Sequence, residues 1–192
     1  MTSKIQGPIL EIAIELFAIH GYAGVGIRDI AAAANVTPGS IFRLFESKES
    51  LFEEALKTVV YRSLAPGDFQ KLLQAEADEF PLLVHRAIRR WYSSLSPQSA
   101  RLLMHAALSE NAEWREIASV RIAEIANILA HTIRKEARKS KVRNLDAVAA
   151  SRTLILALAN LRGTHSLLGT KEKEGDAVSK MILQWIHGLA LA

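Results

Sequence analysis

The chain has 192 residues, of which 49% are hydrophobic and 23% charged, with no cysteine and a formal net charge of +4. That composition suits one large or two small globular domains with a sizeable core, and it excludes a disulfide framework and any thiolate metal site. The most apolar stretch, LILALANL at 154–161, lies between Arg152 and Arg162, well short of the roughly 20 residues that span a bilayer; with polar residues after Met1 instead of a signal segment, a cytoplasmic protein without a membrane partner is expected.

Strand signals are almost absent and apolar residues recur at three and four, so an all-α fold is expected. The first helix begins at about Pro8, carries Ile9, Ile12, Ala13, Leu16 and Phe17 on one face, and stops at His20-Gly21, where glycine suits a left-handed helix end. Shorter helices fit Ile27 to Ala34 and Pro38 to Phe45, and a fourth after Ser47 aligns Leu51, Phe52, Ala55, Leu56 and Val59. Ala-Pro-Gly-Asp at 65–68 breaks the helical pattern and marks a domain boundary, giving domains 1–64 and 65–192. Beyond it, helices are expected near 70–95, 98–109, 112–139, 145–168 and 175–191, with no internal repeat.

The isoelectric point near 9.5 fits a polyanion partner without requiring one. Up to Arg62 the chain is about neutral: Lys4, Arg28, Arg43, Lys48, Lys57 and Arg62 face Glu11, Glu15, Asp29, Glu46, Glu49, Glu53 and Glu54. The basic excess lies later, above all in RKEARKSKVR at 134–143. That run reads either as a second nucleic-acid patch or as a helix C-terminus whose cations suit the dipole.

GIRDIAAAANVTPGSIFRLF, residues 26–45, carries the functional pattern. Ile30, Ala34, Val36, Ile41 and Leu44 have the spacing of two short helices closed on one small core by a tight turn, and Ala31 is small enough for a close crossing. Asn35 sits where the chain leaves the first helix, Thr37 reads as the N-cap of the second, and Pro38 as its first helical residue. Gly39 and Ser40 keep the leading turn slim. This is helix-turn-helix geometry over about 27–45, in which the N-terminal end of the second helix meets base edges and phosphates in the major groove.

Residues 8 to 56 resemble the DNA-binding domain of the TetR/AcrR family of bacterial transcriptional regulators, through Ile9-Leu10, Ala13, Leu16-Phe17, Gly21-Tyr22, Ile27, Asp29-Ile30-Ala31, Ala34, Val36, Ile41-Phe42, Phe45, Lys48-Glu49 and Leu51. The resemblance implies a three-helix helix-turn-helix domain followed by a helical domain for effector binding and dimerisation. It also implies DNA contacts from Arg28, from the recognition helix at Thr37, Pro38, Gly39, Ser40, Phe42 and Arg43, and from Lys48 to a phosphate. Arg28 and Arg43 are candidates for bidentate guanine readout, with phosphate contact as the alternative for each; Lys48 otherwise reads as a solvated helix start, and Phe42 and Phe45 as core. Two departures stand out. Gly26 occupies a position where the family usually has a capping Ser or Thr, and Phe42 one where it usually has a Tyr, so two backbone contacts are expected to be lost and binding to be somewhat weakened.

In the second domain, Val178, Met181, Ile182, Trp185, Ile186 and Leu189 form one apolar stripe, and the preceding helix, with Leu154 and Leu158, is apolar nearly all round. A homodimer pairing the last two helices of each chain accounts for both, and its symmetry implies a palindromic double-stranded DNA operator. As the resemblance implies, the middle helices enclose a pocket for a small, mostly apolar effector. Its candidates are His85, Arg89, Tyr92, His105, Trp114, Asn127, His131 and Asn160, each of which also reads as a satisfied core or interface residue.

The six histidines have no HExxH or other close ligand spacing, and there is no Gly-rich phosphate loop and no G-x-S-x-G elbow. No catalytic residue, metal site or cofactor is expected. The leading expectation is a ligand-responsive repressor; the alternative is a helical ligand carrier or interaction protein with a degenerate DNA-binding module.

Overall fold

The structure, a computed structural model, describes residues 2–62, 80–137, 146–164 and 174–189. All regular structure among them is helical: α1 Thr2–His20, α2 Ile27–Ala33, α3 Pro38–Phe42, α4 Lys48–Arg62, α5 Phe80–Ser94, α6 Pro97–Ala107, α7 Ala112–Ala137, α8 Ala147–Thr164 and α9 Glu174–Leu189. The fold is all-α, as the periodicity predicts. The boundary read at 65–68 lies outside the described residues.

The chain divides into two compact units. The first combines Met1–Arg62 with Ser96–Ser119, and the second Ser63–Leu95 with Val120–Ala192. In the first unit α1 buries Ile9, Ala13 and Phe17 completely, a spacing of one helical turn that sets them in a single row. The helix starts upstream of its expected Pro8, which stands inside it at an exposed position and forfeits one backbone bond. It stops at Gly21, whose φ of +70° and N–H to the Phe17 carbonyl at 2.9 Å are those of a left-handed helix end. α4 contributes Leu51, Phe52, Ala55, Leu56 and Val59 to the same core, and α6 packs on α1 and α4 with Leu102 and Ala106.

Every later helix whose preceding residue is described has a side-chain cap. Ser96 accepts from Ser99 N at 3.0 Å ahead of Pro97, Asn111 Oδ1 accepts from Glu113 N and Trp114 N, and Asp146 Oδ1 accepts from Val148 N and Ala149 N. Such caps satisfy donors that the helix itself leaves open, at about 1 kcal/mol each.

In the second unit α5 packs on α8 and α9. Val84, Ile88, Trp91 and Tyr92 of α5, Leu95 just after it, Ile155 and Leu158 of α8, and Val178 and Ile182 of α9 are all buried. Full burial of such side chains stabilises by about 1.5–3 kcal/mol each. Polar bonds fix the register: Arg162 Nε donates to the Leu95 carbonyl at 2.6 Å, and Trp185 Nε1 donates to the Ala150 carbonyl at 3.2 Å. No described helix is long and apolar enough to cross a membrane.

Candidate nucleic-acid interface and ligand site

α2 and α3 are held by a turn built from backbone bonds. Ala34 N donates to Ile30 O and Val36 N to Ala31 O, both at 2.9 Å, and between them Asn35 takes φ +53°. Asn tolerates that left-handed conformation at low cost, and it is the sole positive φ at a non-glycine position among the described residues. Thr37 then caps α3: its Oγ1 accepts from Ser40 N at 3.2 Å and pairs with Ser40 Oγ at 2.9 Å, with Pro38 in the first helical position. Ile41 and Phe45 turn into the core beside Ile30 and Ala31. Regular helix ends at Phe42, earlier than expected, because the chain bends so that Phe45 is buried before Ser47 caps α4 through Ser50 N.

The residues expected to meet DNA lie outside that core. Arg28, Thr37, Pro38, Gly39, Phe42 and Arg43 are exposed, Phe42 by 53%, and Ser40 is half-buried by its bonds to Thr37. A Cβ placed on Gly39 meets nothing nearer than Thr37 Oγ1 at 3.9 Å, so the packing of the protein leaves room for a side chain there.

Two residues differ from their sequence reading. Gly26 has no side chain to cap α2, yet its own N–H is not lost: it donates to Asp29 Oδ2 at 2.7 Å, one half of a capping box, and the carboxylate stands in the first turn where the dipole favours it. Lys48, expected at a phosphate, is turned toward the protein. Its ammonium donates to the Tyr22 and Val25 carbonyls, both at 3.0 Å, and lies over the Tyr22 ring at 4.0 Å. At most one of its three N–H groups is left for another acceptor. The Tyr22 hydroxyl donates to Glu49 at 2.5 Å; burial, then Glu49, raises the phenol pKa, and the same bond lowers that of Glu49.

The eight residues proposed for an effector pocket do not converge. Trp114 is buried in the first unit, its ring 4.6 Å from that of Tyr22 and 4.5 Å from that of Phe52, with Nε1 donating to Glu53 at 3.3 Å. His105 also belongs to the first unit, exposed and alongside the Gly21 turn. Asn127 and His131 are exposed, and Asn160 lies in a shallow groove with Leu156, Ala157 and Met181. Arg89 and Tyr92 do share a cavity, of about 180 Å³, with Ser93, Arg162, Gly175 and Val178. His85 is held below its ordinary pKa by burial and by the charge of Arg89.

The dimer stripe needs a similar correction. Leu154, Leu158, Val178 and Ile182 are buried within their own unit, because α8 and α9 both pack on α5. The outward apolar residues are Leu156 and Leu183, about half exposed, with Met181, Trp185 and Ile186 partly so; the side chain of Leu189 lies outside the described residues. Of the basic run, residues 134–137, with the cations Arg134 and Lys135, occupy the last turn of α7, and 138–143 lie outside the described residues. Among the described residues no three His, Asp or Glu side chains gather as a metal site would require.

Residues 9–55 match the family model of bacterial regulatory proteins of the tetR family. The chain is 47% identical over 70 residues to the Escherichia coli (strain K12) protein named "Probable acrEF/envCD operon repressor", covering 33% of this chain and 32% of that one. It is 45% identical over 49 residues to the HTH-type transcriptional repressor KstR2 of Rhodococcus jostii (strain RHA1), covering 26% and 24%. The match thus spans about a third or less of these relatives. Over nearly the whole chain the fold is similar to a tetR-family bacterial regulatory protein from Rhodococcus RHA1 (TM-score 0.72, 20% identity, 98% of both chains). It is also similar to the fatty acid degradation regulator FadR from Bacillus halodurans (TM-score 0.70, 19% identity, 96% of both chains).

Proposed function

The chain belongs to the TetR/AcrR family of bacterial transcriptional regulators, and on that premise we propose that it is a ligand-responsive, DNA-binding repressor acting as a homodimer on a palindromic operator. The observation that carries the reading is the leading turn of α3. Thr37, Pro38 and Gly39 are exposed, as are Arg28 on α2 and Arg43 at the C-cap of α3, and Gly39 is small at a place where internal packing makes no such demand. A slim, capped helix start, with one exposed arginine on α2 and another at the end of α3, suits close approach to a duplex, with the arginines on guanines or phosphates.

Dimerisation is assigned to the outward faces of α8 and α9, with Leu156, Met181, Leu183, Trp185 and Ile186 in place of the buried residues of the sequence reading. The effector belongs in the second unit. By binding one state of the dimer better than the other, it shifts the population away from the spacing that fits both half-sites. The test is electrophoretic retardation of promoter DNA flanking the protein's own gene: a complex that weakens steeply with salt is expected. Retention no better than that of unrelated DNA defeats the reading.

A further inference from the structure

In the second unit a guanidinium is fixed in place without being neutralised. Arg89 Nη1 donates to the Gly175 carbonyl at 2.7 Å and to Ser179 Oγ at 2.5 Å, and the Ser179 hydroxyl donates in turn to the same carbonyl at 2.9 Å. Both hydrogens of Nη1 are therefore spent on neutral acceptors of α9. The plane of the group is set and its charge remains whole. Its Nη2 and Nε hydrogens bond to nothing among the described residues, and no described acidic side chain pairs with it. Those two nitrogens form the edge on which a guanidinium grips two oxygens of a carboxylate or phosphate side by side.

The surroundings favour an anion. Arg89 and Arg162 line the same cavity of about 180 Å³, several times the roughly 30 Å³ share of a water molecule. Arg162 is itself oriented, with Nε on the Leu95 carbonyl and its guanidinium 5.3 Å from the centre of the Tyr92 ring. The first turn of the sixteen-residue helix α9 borders the cavity at Gly175 and adds the positive end of a helix dipole. One turn before Arg89, His85 is kept toward its neutral form, so the cationic charge here comes from the two arginines.

We propose that this cavity seats an oxyanion, the carboxylate or phosphate group of a small ligand, gripped by the free edge of Arg89 with Arg162 as the second cation. The inference deepens the effector reading above and rests on it for its regulatory meaning, though not for the binding itself. Val178 and Tyr92 supply an apolar wall for the remainder of such a ligand.

The test uses the full chain at constant ionic strength set with chloride. Thermal melting and calorimetric titration are run with acetate, butyrate, octanoate and inorganic phosphate, and with acetamide and butyramide as neutral counterparts. A saturable rise in melting temperature is expected from carboxylates or from phosphate, identifying the source, and none from the amides. Arg89→Met is expected to raise the Kd of the active oxyanion at least tenfold. Arg89→Lys, which keeps the charge but cannot grip two oxygens, is expected to raise it several-fold and decides the matter if the methionine variant does not fold. Equal effects from amide and carboxylate, no oxyanion binding, or unchanged affinity in the folded Arg89 variants overturns the proposal. Retardation of DNA without added anion is measured separately. Oxyanion binding without a DNA complex sinks the regulator and leaves the site, whereas a DNA complex without oxyanion binding sinks the site alone.

Discussion

The ammonium of Lys48 stands over the ring of Tyr22 at 4.0 Å while donating to the carbonyl of the same residue at 3.0 Å. With its second bond, to Val25, it ties the start of α4 to the turn that delivers α2. Lys48→Met is therefore expected to cost about 1–3 kcal/mol of stability in urea unfolding, as loss of charge-assisted bonds does. It is expected to leave the salt slope of DNA binding unchanged, whereas removal of a phosphate contact would lower that slope by about one.

Gly39 separates fold from recognition. A Cβ at that position stays 3.9 Å from its nearest neighbour, and the rest of a larger side chain lies at an exposed position. Gly39→Leu is expected to hold or raise stability, by up to about 1 kcal/mol from helix propensity, read as an unchanged or higher melting temperature. Operator affinity is expected to fall at least tenfold in a retardation assay. Equal affinity would show that no duplex approaches this turn.

Arg43→Ala is expected to weaken operator binding by about 1–3 kcal/mol and to relax the preference at one base position, read from binding to a randomised operator library. Phe42 is 53% exposed on the same helix. Phe42→Tyr is expected to tighten binding by about 1 kcal/mol through one added hydroxyl-to-phosphate bond, uniformly across sequences.

Trp114 closes an aromatic cluster with Tyr22 and Phe52 and is 6% exposed. Trp114→Ala is expected to cost about 3–5 kcal/mol, the range for large buried aromatics. The other two tryptophans, Trp91 and Trp185, belong to the second unit. A Trp91→Phe, Trp185→Phe protein therefore reports by fluorescence on the first unit alone, and its emission is expected to shift red with the transition that abolishes DNA binding.

His85 is lowered from 6.5 by burial and then by Arg89. The unfolded chain thus binds a proton more readily than the folded one just below pH 6.5. The contribution of this group is full above that pH and is lost as pH falls through the lower folded value. Stability of the wild type is expected to drop more steeply than that of His85→Gln between about pH 6.5 and 5, measured by urea midpoints.

What was legible in the sequence was local. The cap at Thr37, the proline after it, the left-handed Asn35 and the row from Ile9 to Phe17 each follow from a residue type at a fixed offset, and the structure has all four. The inward bonds of Lys48 were not legible, because carbonyls more than twenty residues away carry no side-chain signal. Nor was the place of Trp114: an aromatic at the start of a long helix suits a ligand pocket or a core equally, and only the packing of α6 on α1 brings it to Tyr22. The apolar faces of α8 had a related ambiguity. A helix apolar nearly all round does not say which side serves its own chain, and the buried side proved to be that of Leu154 and Leu158.

The first unit is discontinuous, completed by residues 96–119 after the chain has already begun the second. During synthesis α1 to α4 leave the ribosome well before α6 and Trp114 arrive, so Phe17, Phe52 and their neighbours wait partly uncovered while the intervening residues are made. A genetic truncation after residue 62 would make that waiting state permanent. The shortest fragment expected to fold with this core closed is one reaching residue 119, checked by a cooperative unfolding transition that a 1–62 fragment lacks.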